Sequence, residues 1–112
     1  MSAPAIQHQL QASGRWRALT LMEQMGNVGS EVGRARRWQG KDDKLFEGAL
    51  VRSLELLDLT IQDPRWIGRL KELTRAREVL CDAFLGGPEY GSTLEDMERY
   101  FHPFALSARI CR

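Results

Sequence analysis

Apolar side chains recur at intervals of three and four residues through most of the chain, which is the period of a helix that buries one face. No segment alternates strictly between apolar and polar residues, as a half-buried strand would. The pattern therefore predicts four helices and no strand. The predicted helical runs cover residues 13–39, 45–61, 67–84 and 94–108.

Polar segments between these runs carry residues that end one helix and begin the next. Gly40 suits the end of the first helix, and Asp42 or Asp43 can accept the free amide hydrogens of the second. Asp63 and Pro64 mark the end of the second helix and the start of the third, because proline in a first turn loses no hydrogen bond. Both junctions are short, so we expect the helices that they join to be antiparallel neighbours.

The outer ends of the first and fourth helices are also marked. Ser13 is available as an N-cap for the first helix, and Ser92 with Glu95 has the spacing of a capping box for the fourth. Pro103 lies inside the fourth run, where it removes one hydrogen bond and crowds the preceding turn. We therefore expect this helix to kink or to end early, near His102.

The length of 112 residues is that of a single domain. We predict an all-α fold, an up-and-down four-helix bundle over residues 13–112, after a flexible N-terminus of residues 1–12. The formal net charge is +1, so the field of the whole protein draws neither nucleic acid nor a membrane strongly. No run is long enough to span a bilayer and the N-terminus lacks a signal-peptide pattern, so we expect a cytoplasmic protein with no membrane partner.

Side chains suited to catalysis or metal binding are sparse. Cys81 and Cys111 fit no metal-ligand spacing. Di-iron bundles use a Glu-x-x-His motif twice, and neither His8 nor His102 has a glutamate at that spacing. Neither histidine forms a recognisable motif with a nucleophilic serine or cysteine. We therefore predict no enzymatic activity, no catalytic residue, no metal, no cofactor and no small-molecule substrate.

Three glycines interrupt the first predicted helix, although each costs about 1 kcal/mol relative to alanine. Their spacing places Gly26, Gly29 and Gly33 on one helical face. A face of small residues permits another helix to approach closely. That helix belongs either to the same bundle or to a neighbouring subunit.

Charged residues adjoin apolar positions on several helical faces. Glu31 lies between Val28 and Val32, for example, and Arg75 follows Glu72 by three residues. Such charges either pair between adjacent turns on the surface or pair between subunits of a homo-oligomer. The candidate interface residues are Gly26, Gly29, Glu31, Gly33, Glu55, Asp58, Glu72 and Arg75.

The densest basic cluster lies at the end of the first predicted helix and surrounds a tryptophan. Arginine beside an aromatic ring is the combination used in single-strand binding, because the charge contacts phosphate and the ring stacks on a base. The dipole of a helix also favours cations at its C-terminus without any ligand. The candidate nucleic-acid-binding residues are Arg34, Arg36, Arg37, Trp38 and Lys41.

Three segments of the chain resemble a family of small, uncharacterised bacterial helical proteins: residues 25–35 (MGNVGSEVGRA), 52–61 (RSLELLDLTI) and 69–73 (RLKEL). More distantly, they are similar to the four-helix-bundle proteins encoded by intervening sequences in bacterial large-subunit ribosomal RNA genes. They are similar in kind to the accessory variability determinant of diversity-generating retroelements. The resemblance covers about the first three helices. It implies an up-and-down bundle that assembles as a ring, commonly a pentamer, with a role beside nucleic acid.

Three functional hypotheses follow from the sequence. The first is a non-enzymatic, self-associating helical bundle that acts as an interaction or assembly module. The alternative is an oligomeric nucleic-acid-binding protein that uses the basic end of the first helix. A metal-dependent enzyme comes third, because the chain supplies neither ligand motifs nor a nucleophile.

Overall fold

The computed structural model describes residues 14–110, and within that range the chain forms helices and no strand. The predicted all-α class is thereby confirmed. Residues 14–17 form one helical turn, and a short 3₁₀ segment, Pro64–Arg69, lies between the second and third long helices. The four long helices are α1 (Leu21–Trp38), α2 (Asp43–Ile61), α3 (Leu70–Phe84) and α4 (Leu94–Ile110).

The first helix begins later than the sequence pattern predicts. A continuous helix from Ser13 is wrong for the described residues, because the chain turns after residues 14–17 and α1 starts at Leu21. The cause is a capping box: the Thr20 hydroxyl accepts from the Glu23 amide at 3.1 Å, and the Glu23 carboxylate accepts from the Thr20 amide at 2.9 Å. Ser13 and the predicted flexible N-terminus lie outside the described residues.

The junction between α1 and α2 follows the prediction. Gly40 has a φ of +75°, a left-handed conformation that glycine adopts without steric cost. The Asp42 carboxylate then accepts from the Leu45 amide at 3.1 Å and caps α2. The chain therefore reverses direction within residues 39–42.

The third long helix begins at Leu70, six residues after the start predicted at Pro64. Asp63 and Pro64 do start a helical segment, but it is a 3₁₀ turn in which Trp66 has non-helical angles of φ −105° and ψ 22°. The change of pitch shifts the buried face by the time α3 begins at Leu70. As a result Ile67, the first apolar position of the third predicted run and so expected on its buried face, is 77% exposed, and Trp66 packs against the core instead.

The fourth helix departs from prediction at its start. Thr93 and Asp96 cap α4 reciprocally, with both hydrogen bonds between 3.1 and 3.2 Å, in place of the predicted Ser92 and Glu95. The Ser92 hydroxyl instead donates to the Val79 carbonyl oxygen at 3.1 Å and so ties the loop to α3.

The fourth helix also runs through its proline. The early end expected near His102 does not occur, because α4 continues past Pro103 to Ile110. Phe101 on one side of the proline is fully buried and Ala105 on the other packs against α1. This packing on both sides offsets the cost of a proline inside a helix, which is about 3 kcal/mol for the lost hydrogen bond and the crowding together.

Helices α2 and α4 both pack against α1. Gly26 faces Ala105 and Gly33 faces Glu98, so α1 and α4 run antiparallel along each other. The short loop folds α2 back along the other side of α1, while α3 packs against α2 and α4. Fully buried side chains from all four helices form the core, including Met25, Val28, Val32, Leu57, Leu73, Leu80 and Phe101.

A buried polar network joins the helical turn at residues 14–17 to the rest of the molecule. The Gln24 side-chain amide donates to the Trp16 carbonyl oxygen at 2.9 Å and to the Asp63 carboxylate at 3.2 Å. The Gln24 oxygen accepts from the Trp66 indole at 2.9 Å. Hydrogen bonds from Arg65, opposed in part by burial, lower the pKa of Asp63 to about 2.

Candidate functional site

The glycine face of α1 packs against α4 of the same chain. A methyl group added at Gly26 would lie 3.0 Å from the Ala105 Cα, and one at Gly29 would lie 2.5 Å from the Phe101 Cβ. Both separations are shorter than ordinary van der Waals contact. These glycines therefore bring two backbones together inside the bundle, which is one of the two arrangements that their spacing predicts.

A polar groove remains open along this contact. It lies between α1 and α4 and has a volume of about 350 Å³. Gly26, Gly29 and Gly33 line it from α1, and Phe101 and Ala105 line it from α4. Its charged and polar lining residues are Ser30, Arg34, Arg37, Glu98 and His102.

A second groove lies between α1 and α2. Its volume is about 410 Å³. Trp38 and Leu45 give it an apolar wall, and Gly48 leaves space in it, since no atom lies within 4 Å of a side chain added there. Its charged lining residues are Glu31, Arg34, Lys44 and Arg52.

Arg34 lies between the two grooves and lines both of them. Its guanidinium pairs with the Glu31 carboxylate at 2.9 Å, and its side chain is 56% exposed. The Glu31 side chain is only 14% exposed, so Arg34 presents the accessible charge of this pair. A negatively charged ligand in either groove would meet Arg34.

The predicted basic cluster divides into paired and unpaired cations. Arg36 contacts Glu98 at 2.9 Å and Glu95 at 3.7 Å, so α4 compensates its charge. Within residues 14–110, Arg37 and Lys41 make no ion pair or side-chain hydrogen bond. The structure therefore keeps Arg37 and Lys41 available for a ligand and engages Arg36 within the fold.

Lys44 and Arg52 join this surface. Lys44 is the last cation of the basic cluster in the sequence, but neither residue was among the predicted nucleic-acid-binding residues. Lys44, Gly48 and Arg52 follow one another at intervals of four residues on α2, which places them on one face. Neither cation pairs with an acid in the described part of the chain. The four-residue spacing, together with the short loop after α1, is the signal that could have found them.

The predicted charged interface does not form one continuous surface. Asp58 on α2 accepts two hydrogen bonds from Arg77 on α3, at 2.5 and 3.2 Å. Glu72 on α3 instead faces α4, where it accepts from the Tyr100 hydroxyl at 3.2 Å. Asp58 and Glu72 therefore lie on opposite sides of α3. Glu55 is exposed, and in the described chain it has no charged partner.

The environment of Tyr100 is set by the same contact with α3. Burial and the neighbouring Glu72 carboxylate raise the pKa of Tyr100 to about 12, because both disfavour the phenolate. Glu72 is also paired with Arg69 at 3.0 Å. Arg75, the last of the predicted interface charges, lies over the Tyr90 ring at 4.6 Å from its centre.

The described residues contain neither a candidate metal site nor a candidate membrane-spanning helix. Among residues 14–110, no three His, Cys, Asp or Glu side chains come close enough together to hold a metal ion. None of the helices described has the length and apolar character that crossing a membrane requires. The two grooves beside α1 are therefore the candidate site.

Comparison with protein-family models, with curated proteins and with solved structures found no match to this chain. The resemblance to the bacterial helical proteins stays a prediction. Any functional proposal consequently rests on the geometry of the two grooves.

Proposed function

We propose that the protein is a non-enzymatic binding protein, built as an up-and-down four-helix bundle, that binds nucleic acid on one basic face. The antiparallel contacts of α1 with α4 and of α3 with α2 and α4 support the bundle. The cytoplasmic location expected from the sequence stays part of this proposal. The basic face comprises Arg34, Arg37, Trp38, Lys41, Lys44 and Arg52.

One observation carries the proposal: four of the five cations on the basic face lack an acidic partner in the described part of the chain. Arg37, Lys41, Lys44 and Arg52 form no ion pair within residues 14–110. Several arginines elsewhere in the fold do have one. Arg65, Arg69, Arg77 and Arg99 each contact a carboxylate.

A local patch of cations is sufficient to attract a nucleic acid, because salt screens the field of more distant charges. At about 0.1 M salt, the field of an exposed charge decays over roughly 10 Å, so the net charge of +1 matters less than the nearest side chains. Phosphates at closely spaced intervals along a nucleic acid can contact several of these cations at once. Each contact releases counterions, and their release supplies much of the affinity.

The test is the salt dependence of binding to fluorescently labelled oligonucleotides, measured by anisotropy with the full chain. We expect the logarithm of the association constant to fall linearly with the logarithm of salt concentration. Four to five phosphate contacts give a slope of about −3 to −4. Absent binding at low salt, or binding independent of salt, would remove the proposal.

Two lysines provide a matched pair of variants. Lys44 and Lys71 each occupy the second position of a helix, and both are exposed. Lys44→Ala should reduce the steepness of the salt dependence by almost one unit, because one phosphate contact is lost. Lys71→Ala should leave it unchanged. Equal effects of the two substitutions would mean that binding is not confined to the basic face.

Self-association, the leading hypothesis from the sequence, stays a second candidate. Leu106 and Ile110 lie one turn apart on α4, and they are 44% and 71% exposed. Exposed apolar side chains on successive turns are typical of contact surfaces. Light scattering should then give a mass of several chains, and Leu106→Gln should lower it. A mass of one chain for the unmodified protein would remove this candidate.

A further inference from the structure

Building on the proposed nucleic-acid binding, we infer that the ligand is single-stranded and crosses α1 over Arg34, with one base stacked on Trp38. The inference concerns the form of the nucleic acid and its path across the basic face. It rests on how α1 is flanked, on the surroundings of Trp38 and on the position of Arg34.

The flanking of α1 disfavours duplex recognition through the major groove. A helix with its side chains is about 10–12 Å across, which fills a major groove of about 12 Å. A reading helix must therefore protrude from its protein. Here α2 and α4 pack along both sides of α1, so the cations of α1 emerge between two grooves. A duplex would rest on the rims of those grooves, whereas a single strand can enter them.

Trp38 is the indole available to a base. The Trp16 indole donates to the Thr60 hydroxyl and the Trp66 indole to the Gln24 side chain, so both of these rings are fixed inside the fold. Trp38 is half-buried, lines the groove between α1 and α2, and makes no side-chain hydrogen bond within the described residues. An aromatic face beside cations stacks on any base, because every base has a π-face.

Arg34 connects the two grooves and so sets the path. A strand that places its base against Trp38 brings the adjoining phosphate towards Arg34, Lys44 and Arg52, which line the same groove. The next phosphate can then lie beside Arg37 in the groove between α1 and α4. The volumes of about 350 and 410 Å³ fall within the range of roughly 300–1,000 Å³ for small-ligand pockets.

The experiment compares a labelled oligothymidine with a labelled duplex of the same length at one salt concentration, using the full chain. We expect the single strand to bind more tightly. Trp38→Ala should weaken single-strand binding about 5- to 150-fold, as loss of one base stack does. Its salt dependence should not change, because the substitution removes no charge.

Tyr90→Ala is the matched control. Tyr90 is an aromatic residue that is 43% exposed and has the Arg75 guanidinium over its ring, but it lies in the loop after α3. This substitution should leave both affinities unchanged. Trp38→Phe keeps an aromatic ring and fills most of the site, so it should retain most of the single-strand affinity even where the alanine variant folds poorly.

The possible failures of the two proposals differ. Absence of binding to either oligonucleotide would overturn both the proposed function and this inference. Duplex binding as tight as single-strand binding would overturn the inference alone. So would a Trp38→Phe variant in which oligothymidine quenches tryptophan fluorescence as strongly as in the unmodified protein, since Trp38 would then not contact the bases.

Discussion

The Gln24 carboxamide donates to the Asp63 carboxylate at 3.2 Å, across 39 positions of sequence and inside the protein. The same side chain also binds the Trp16 carbonyl oxygen and the Trp66 indole. Gln24 has no exposed surface, so its side-chain amide depends on these three partners for its hydrogen bonds. One glutamine thus holds the first helical turn, α1 and the 3₁₀ segment together.

Replacing Gln24 with leucine should lower the free energy of unfolding by about 1–3 kcal/mol. Leucine is similar in size to glutamine, but it leaves the part-buried Trp66 indole without its acceptor and removes one hydrogen bond each from the Trp16 carbonyl oxygen and the Asp63 carboxylate. Urea denaturation measures the change. Gln39→Leu is the control, since Gln39 is exposed and caps α1 through its backbone; it should stay within about 0.5 kcal/mol. Equal stability of the two variants would contradict the role of the network.

Protonation of the Asp63 carboxylate should lower the stability of the fold in acid. Its pKa is lowered from 3.8 to about 2, so the folded state releases this proton more readily than the unfolded chain does. The contribution is therefore complete above about pH 4 and disappears as the pH falls towards 2. Thermal unfolding between pH 5 and 2 measures it. Asp63→Asn should be less stable at neutral pH, and the acid-dependent loss should shrink in that variant.

Substitution by alanine should change the stability of the fold in opposite directions at Gly29 and at Gly48, although both glycines lie inside long helices. At Gly29 a methyl group meets the Phe101 Cβ, so Gly29→Ala should destabilise the fold by about 1–3 kcal/mol, even after the gain in helix propensity. At Gly48 nothing lies within 4 Å, so Gly48→Ala should stabilise it by about 0.5–1 kcal/mol. Urea denaturation of both variants gives the comparison. A stabilised Gly29→Ala variant would show that α1 and α4 do not approach so closely.

The Tyr100 hydroxyl should ionise at a higher pH than that of an exposed tyrosine, and its ionisation should lower the stability of the fold. Its pKa is raised from 10.0 to about 12, so the contact with Glu72 contributes fully below about pH 10 and is lost as the pH rises towards 12. The ultraviolet absorbance of tyrosinate follows this step. Subtracting the titration of Tyr100→Phe from that of the unmodified protein should isolate a transition near pH 12. A difference curve centred near pH 10 would place Tyr100 in solvent.

The start of α2 could be predicted from the sequence, whereas the start of α3 could not. Asp42 caps α2 through an amide three residues away, so the pattern of nearby residues contains the whole interaction. Trp66 departs from helical angles and binds Gln24, which lies 42 positions earlier. A contact between distant residues cannot be recognised from the spacing of apolar residues. That spacing placed Ile67 on the buried face, whereas the structure shows it exposed.

The candidate site, too, could be predicted where residues are close in the sequence and not where they are distant. Arg34, Arg37 and Trp38 could be singled out because they crowd together in the sequence. The pairing of Arg36 with Glu98, 62 positions away, depends on how α4 lies against α1. Arg52 likewise joins the basic face only through the register of α2. Charge composition identified the region, and helix packing decided which of its cations are free.

The close approach of α1 and α4 bears on how the chain folds during its synthesis. The site on α1 that receives Phe101 is supplied by a helix that the ribosome completes only after α2 and α3. Until then, α1 is covered on one side and its core residues have incomplete packing. Contacts between distant segments must form before the core closes, so folding of this domain should be a late, concerted step rather than a stepwise addition of helices.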